Sequence, residues 1–402
     1  VRPIPEKEEK MPHYKYLIIG AGMAANAAVK GIRELDGSGS IGLVGQELHP
    51  PYARPPLSKK LWQGKPLESI WYGTDSLGVT LHSGKRATAL EAANREVRDD
   101  QGGIYSFDRL LLSTGGTPRR LPFGGDSIIY FRTLDDYRLL RALADAGGKF
   151  VVIGGGFIGS EIAAALTMSG RQVTMLFPDP VIASRLFPAD LAAFLTGFYH
   201  EKGVEMLAGE TVTGVVQHRQ QFLVETASGR EIIADGVVAG LGIELNTQLA
   251  IQAGLPVDNG ITVDEFLRAG TPEIFAAGDI ASFYNPALGK RIRVEHEDNA
   301  VAMGRQAGRN MAGASEPYNH LPFFYSDLFE LGYEAVGELD SRHETVACWQ
   351  EPYRKGEIYY LRDGRVRGVL LWNVWEQVDA ARRLIAEPGP IRPSDLHGRL
   401  PE

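Results

Sequence analysis

Short runs of consecutive apolar residues alternate with stretches of helical periodicity over most of this chain, the rhythm of parallel strands joined by crossover helices. Residues 16–19 (YLII) predict a buried strand, followed by a glycine-rich turn and an alanine-rich helix to about residue 35; 41–44 (IGLV) predict the next strand. The same order returns at 150–153 (FVVI), with GGGFIG at 154–159, a helix through about residue 168 and a strand at 173–176 (VTML). One structural idea is thus used twice, too far apart for a solenoid repeat and at the right distance for two nucleotide-binding domains. Hairpin-like strands follow at 212–216, 221–226 and 231–238. The segment 324–373 is again strand-rich, with runs at 358–361 and 366–371 joined by Asp363-Gly364, a strong hairpin turn signal. A helix is expected at 378–386. Proline and charge at 1–10 predict a flexible tail, and at 387–402 a segment trailing along the surface. The fold class is α/β, with two Rossmann-like dinucleotide-binding domains and a C-terminal α+β domain.

Composition removes several function classes. The chain has 402 residues, enough for two to three domains, with 44% hydrophobic and 23% charged residues. Its single cysteine, Cys348, excludes a disulfide scaffold, a Cys-ligated metal centre and a CxxC redox pair within these residues. No metal site is expected. No apolar run is long enough to span a membrane, and the net charge of −8 argues against general nucleic-acid binding. Without a signal-peptide pattern in these residues, the expected location is cytoplasmic, an upstream targeting segment being left open. The 47 glycines exceed the usual share and point to tight turns and close backbone approaches.

Two of those turns carry chemistry. Gly20, Gly22 and Ala25 follow the first strand, and Gly154, Gly156 and Gly159 follow the later one. In a dinucleotide fingerprint the first glycine permits the turn, the second lets the backbone approach a pyrophosphate, and the third allows close helix–strand packing. A carboxylate at the end of the second strand would accept from a ribose hydroxyl. Gln46 holds that place in the first copy, with Glu47 one step late. In the second copy Asp179 lies two residues late, beyond Pro178; a carboxylate there disfavours the extra phosphate of NADP(H), although Arg185 is near in sequence.

Three further blocks narrow the field: PYARPPLSK at 51–59, STGGTPR at 113–119 and AAGD at 276–279. With the fingerprints, they resemble the glutathione-reductase-like flavoproteins, and within these the branch holding ferredoxin reductases and apoptosis-inducing factor. RVEHEDNA at 293–300, YSDL at 325–328 and GYEAVG at 332–337 look more like apoptosis-inducing factor. The long C-terminal insertion of the animal protein is missing, Tyr325 stands where that protein has a tryptophan, and Glu297 where it has one of two histidines; its signalling role is thereby put in doubt.

The resemblance implies a discontinuous FAD-binding domain at 11–121 and 243–318, an NAD(H)-binding domain at 122–242 and a C-terminal domain at 319–402. It implies FAD at Gly20, Gly22, Ala24 and Ala25, with Gln46, Glu47, Arg54, Lys59, Thr114, Gly115, Arg119, Gly278 and Asp279 around it. NAD(H), preferred over NADP(H), would be met by Gly154, Gly156, Phe157, Ile158, Gly159, Asp179 and Gly242. Glu161, Glu295, His296, Glu297 and Tyr325 would complete the region near the rings. Lys59 and Glu161 are the catalytic pair, placed by the resemblance beside the reactive edge of the flavin, where hydride passes from NADH to FAD N5. Asp298 is expected to cap the helix that follows it, aiming that helix's N-terminus at the flavin pyrimidine. Trp372 and Trp375 are expected to pack the last domain, and Arg382 and Arg383 to face solvent.

Three functions follow. The first is an NADH oxidoreductase of the apoptosis-inducing-factor type, its acceptor being oxygen, a quinone or an iron–sulfur protein. The second is a ferredoxin reductase passing electrons to an iron–sulfur protein. The third is an NADH-sensing flavoprotein that switches to an NADH-linked homodimer.

Overall fold

The computed structural model describes residues 11–400, so the tail expected at 1–10 lies outside the described residues. The chain forms two compact units. Among the described residues, one comprises 11–53 with 71–116 and 245–320; the other comprises 54–70, 117–244 and 321–400.

The first unit is built on a seven-stranded sheet in which Val79–Ser83, Ile41–Gly45, His13–Ile19 and Ile104–Leu112 lie side by side in parallel. Ile274–Ala276 adds to Ile104–Leu112 in parallel, and the hairpin Ala87–Glu91/Glu96–Asp99 extends the sheet antiparallel. The YLII run is central, and its consecutive burial is what a strand covered on both faces requires. Helix Met23–Arg33 packs against helix Glu297–Met311 with almost no separation. A Cβ added at Gly304 would stand 2.2 Å from the Ala24 carbonyl oxygen, and one at Gly308 2.1 Å from that of Ala28. These glycines are close-approach residues.

The second unit repeats the scheme. Val204–Ala208, Gln172–Phe177, Lys149–Ile153, Gly236–Ala239 and Ile129–Tyr130 form a five-stranded parallel sheet. A three-stranded antiparallel sheet joins Val212–His218, Gln221–Thr226 and Glu231–Ala234. The continuous strand expected at 231–238 is therefore two strands in two sheets. Asp235 marks the change: its carboxylate accepts from the Lys149 backbone N–H at 2.7 Å and from Gln221 at 2.9 Å, anchoring the chain as it crosses over.

A five-stranded antiparallel sheet, in the order Phe323–Leu328, Leu331–Gly337, Arg365–Trp372, Lys355–Arg362, Glu344–Glu351, completes this unit. Asp363 and Gly364 turn its third hairpin with φ of 54° and 67°, the two positive values of a type I′ turn. Trp372 is wholly buried and stacks on Tyr333 at 5.8 Å, while Trp375, 46% exposed, lays its ring edge over Gly332, where an added Cβ would stand 2.8 Å from it. Helix Val378–Ala386 lies where the sequence puts it. On it Arg383 is exposed, but Arg382 donates to the Leu321 carbonyl and pairs with Asp379. The trailing end runs along the surface as expected, most of its residues exposed, but it is pinned: Leu396 and Leu400 are buried and Arg399 donates to Glu387 at 2.7 Å.

Candidate cofactor and hydride-transfer site

In the first unit the strand–turn–helix junction is set by Gly20 at φ +107°, where a Cβ would lie 2.2 Å from the Ser113 carbonyl oxygen. Gly22 occupies the N-cap of helix Met23–Arg33 in extended conformation, and nothing stands within 4 Å of where its Cβ would be. No side chain caps this helix and no acidic residue lies in its first turn. A Cβ on Gly278 would come 3.1 Å from the Ala24 methyl, so the AAGD turn meets the fingerprint loop; Ala25 is fully buried under it.

Thr114 is engaged with Asn246, donating its hydroxyl to the Asn246 carbonyl at 2.8 Å and accepting from the Asn246 amide at 3.0 Å; Gly115 accepts from the Asn246 N–H. Gln46 is exposed beyond its strand, and Glu47 accepts from the Tyr52 hydroxyl at 2.6 Å. Arg293 donates to the Asp279 carbonyl and to Glu295, bringing those two together.

The helix expected to be capped by Asp298 begins at Glu297, with His296 at the N-cap. Asp298 instead pairs with His320. With Glu297 and Asp298 both in the first turn, that helix end is not a bare positive pole. Burial and the Glu297 charge push the Tyr72 hydroxyl up to about 12.

The second unit holds the matching loop. Gly154 has φ +116°, and a Cβ there would lie 2.4 Å from the Gly240 carbonyl oxygen. Gly159 could not carry a Cβ, which would lie 2.0 Å from the Gly154 carbonyl oxygen, whereas Gly156 faces open space at the N-cap of helix Phe157–Met168. This helix too lacks a capping side chain and any acidic first-turn residue. By contrast, helix Leu134–Ala146 closes its own N-terminus with a Thr133/Asp136 capping box. Two uncapped helix starts, each behind a glycine with room above it, are the surroundings that a pyrophosphate needs, and the residues present fit dinucleotides.

Ile158 is 36% exposed, while Phe157 packs edge-on against Phe324 at 5.2 Å. Asp179 is half-buried beyond strand Gln172–Phe177, its carbonyl taken by the Gly209 N–H. Gly242 accepts at its carbonyl from the Arg119 N–H at 2.9 Å, and Arg54 donates to the Arg132 carbonyl.

Four residues after Phe157 comes Glu161, the sole charged residue of its helix, 3% exposed among Ile162, three alanines and Leu166. Its carboxylate is fully engaged. Lys59 reaches Oε1 at 2.7 Å, the Ser326 hydroxyl donates to Oε1 at 2.6 Å and the Ser58 hydroxyl donates to Oε2 at 2.6 Å. Lys59 is itself buried, with Nζ 5.2 Å from the centre of the Tyr325 ring.

Three segments distant in sequence thus converge: the short 3₁₀ turn Pro55–Ser58, the helix after the second fingerprint and the first strand of the last sheet. The surroundings register the negative charge. Burial, and Glu161 in addition, push the Tyr199 and Tyr333 hydroxyls well above their ordinary range. Burial raises the Asp327 carboxyl, a rise that Lys59 opposes and Glu161 reinforces. Sequence reasoning named Lys59, Glu161 and Tyr325 but assigned nothing to Ser58, Ser326 or Asp327, although all three lie inside the blocks that carried the resemblance.

Among the described residues no cluster of three or more His, Cys, Asp or Glu is arranged to hold a metal ion, and no helix is long and apolar enough to cross a membrane.

The family described as pyridine nucleotide-disulphide oxidoreductase matches residues 14–304, and the C-terminal region described as apoptosis-inducing factor, mitochondrion-associated, matches 307–352 and 349–387. Apoptosis-inducing factor 1, mitochondrial, of Dictyostelium discoideum is 35% identical over 94% of this chain and 80% of its own length. The anthranilate 1,2-dioxygenase system ferredoxin–NAD(+) reductase component of Burkholderia cepacia is 33% identical over 95% of this chain and 96% of its own. A crystal structure of the covalent putidaredoxin reductase–putidaredoxin complex superimposes with a TM-score of 0.88 at 30% identity, covering 95% of each chain. With two dinucleotide loops, a buried Lys–Glu pair and matches along nearly its whole length, the chain belongs to the pyridine nucleotide-disulphide oxidoreductase family and is an FAD-dependent NAD(P)H oxidoreductase.

Proposed function

We propose that the chain is an NADH-preferring flavoprotein of the apoptosis-inducing-factor type, with Lys59 and Glu161 serving hydride transfer, and that its electrons leave for an external acceptor. When bound, NADH supplies a hydride and FAD accepts it. The chain's own residues position and polarise. The backbone at Gly20, Gly22 and Ala25 receives the FAD pyrophosphate, with 11–121 and 243–318 as the FAD domain. The backbone at Gly154, Gly156 and Gly159 receives that of NADH, within 122–242, and 319–402 forms the third domain.

The observation that carries this reading is the buried Lys59–Glu161 pair, its glutamate two residues beyond the last glycine of the second fingerprint. A paired charge sequestered from water acts with much less screening than it would at a surface. Asp179 supports NADH, since a carboxylate near the ribose repels a 2′-phosphate. Lys59→Ala or Glu161→Ala is expected to slow flavin reduction by NADH at least about tenfold while FAD stays bound. Stopped-flow reduction unchanged in both variants rules out the role. A larger kcat/KM for NADPH than for NADH rules out the stated preference.

An iron–sulfur protein as acceptor is the second reading. It is favoured by the end-to-end likeness to the Burkholderia ferredoxin–NAD(+) reductase component. With one cysteine in its 402 residues the chain has no dithiol of its own to relay electrons, and Cys348 is no activated thiolate, since burial and then Glu357 raise its thiol. Supplying a small ferredoxin, a quinone or oxygen to the NADH-reduced protein discriminates the acceptors by the rate of flavin reoxidation.

A further inference from the structure

We propose that Ser58 and Ser326 are positioning residues for the Lys59–Glu161 pair. Their hydroxyls hold one Glu161 oxygen each, so that the carboxylate keeps a single orientation with Oε1 turned to Lys59. The two hydrogen bonds are short, both 2.6 Å, and both serine side chains are buried, so water does not compete for them. They also come from segments far apart in the chain. Ser58 ends the 3₁₀ turn that delivers Lys59, and Ser326 lies on a strand of the last sheet, between Tyr325 and Asp327.

A carboxylate on a helix can rotate about its terminal torsion, which is broad and weakly restrained. Hydroxyls on both oxygens remove that freedom, and with it the freedom of the lysine to follow. Without Ser326, Oε1 keeps only the ammonium; without Ser58, Oε2 keeps no hydrogen bond from either serine. In each case the carboxylate turns and the ammonium loosens. The last sheet therefore contributes Ser326 to the hydride-transfer machinery.

The functional half of this proposal rests on the role given to the pair above, so two readouts are taken on the FAD-loaded protein. The first is acetylation of Lys59 by acetic anhydride, mapped by mass spectrometry with the other lysines as internal controls. Ser326→Ala is expected to raise Lys59 labelling at least about threefold with the control lysines unchanged, and Ser326→Thr to restore protection. The second is the limiting rate of flavin reduction, expected to fall about tenfold in Ser326→Ala with the apparent Kd for NADH within about twofold of wild type. Should Ser326→Ala fold poorly, Ser58→Ala carries the same test from the other oxygen.

Labelling unchanged in both alanine variants overturns the proposal. Labelling raised with the reduction rate unaltered overturns its functional half. If Lys59→Ala itself leaves the rate unaltered, it is the role of the pair that fails.

Discussion

Glu161 shows how a buried charge is held in place. A carboxylate 3% exposed in an otherwise apolar helix is stable only because an ammonium and two hydroxyls meet it. Removing one partner strands a charge. Lys59→Met is expected to cost about 3–5 kcal/mol of stability, while Lys59→Met combined with Glu161→Leu lies closer to wild type because no buried charge is left alone. Urea denaturation of the three proteins checks this, and equal losses in the single and double variants would contradict it. Lys59 and Glu161 were legible in the sequence because each stands in a motif: PYARPPLSK for the lysine, and the helix opened by GGGFIG for the glutamate. Ser58 and Ser326 were not legible as partners. A serine bonds whatever the fold brings to it, and here the fold joins positions 103 and 165 residues from Glu161.

The fingerprint loops and the helices behind them separate two kinds of glycine that look alike in sequence. Gly304 has no room for a methyl, with the Ala24 backbone 2.2 Å from its would-be Cβ, so Gly304→Ala is expected to destabilise by about 1–3 kcal/mol as the helices part. Gly22 and Gly156 have open space and negative φ, so alanine there fits the protein alone and obstructs only what docks above the loop. Gly22→Ala is expected to leave the apoprotein's unfolding midpoint unchanged while weakening FAD retention. Gly156→Ala does the same for NADH. Calorimetry of both variants decides it, and undiminished FAD affinity in Gly22→Ala would contradict the loop assignment.

Periodicity located most elements, and the Asp363-Gly364 turn was readable to the residue. Periodicity failed where tertiary partners decide. The 231–238 run divides at Asp235 because its two halves find different sheets, and Asp298 is drawn to His320 instead of capping its helix. The C-terminal segment keeps to the surface as its charged composition suggests, but Leu396 and Leu400 find cover that composition did not show.

Among the depressed carboxyls of the first unit, which include Asp36 and Glu316, Asp99 sits in a buried cluster through which acid should act. Burial alone would raise Asp99, but the Tyr105 hydroxyl, the Gly103 and Gln101 backbone N–H groups and Lys85 hold its carboxyl at about 2. A carboxyl depressed in the folded state stabilises it above the unfolded value, near 4, and loses that contribution as pH falls toward 2. The contribution is on the order of 1–2 kcal/mol after solvent screening. His82 is lowered by burial and then by Lys85, so folding excludes its proton and stability begins to fall as pH drops below about 6.5. Unfolding midpoints should therefore decline from pH 7 to pH 3, and Asp99→Asn should flatten the portion below pH 4. A midpoint constant over that range would contradict the assignment.

The two glycine loops and the family matches along the chain converge on one function: hydride enters from a nicotinamide nucleotide, and electrons pass through FAD to an acceptor. The most direct test is anaerobic titration of the FAD-loaded protein with NADH, followed in the visible spectrum. The flavin band should bleach with about one equivalent of NADH. A protein that retains no FAD, or whose flavin band NADH leaves unchanged, would contradict the account.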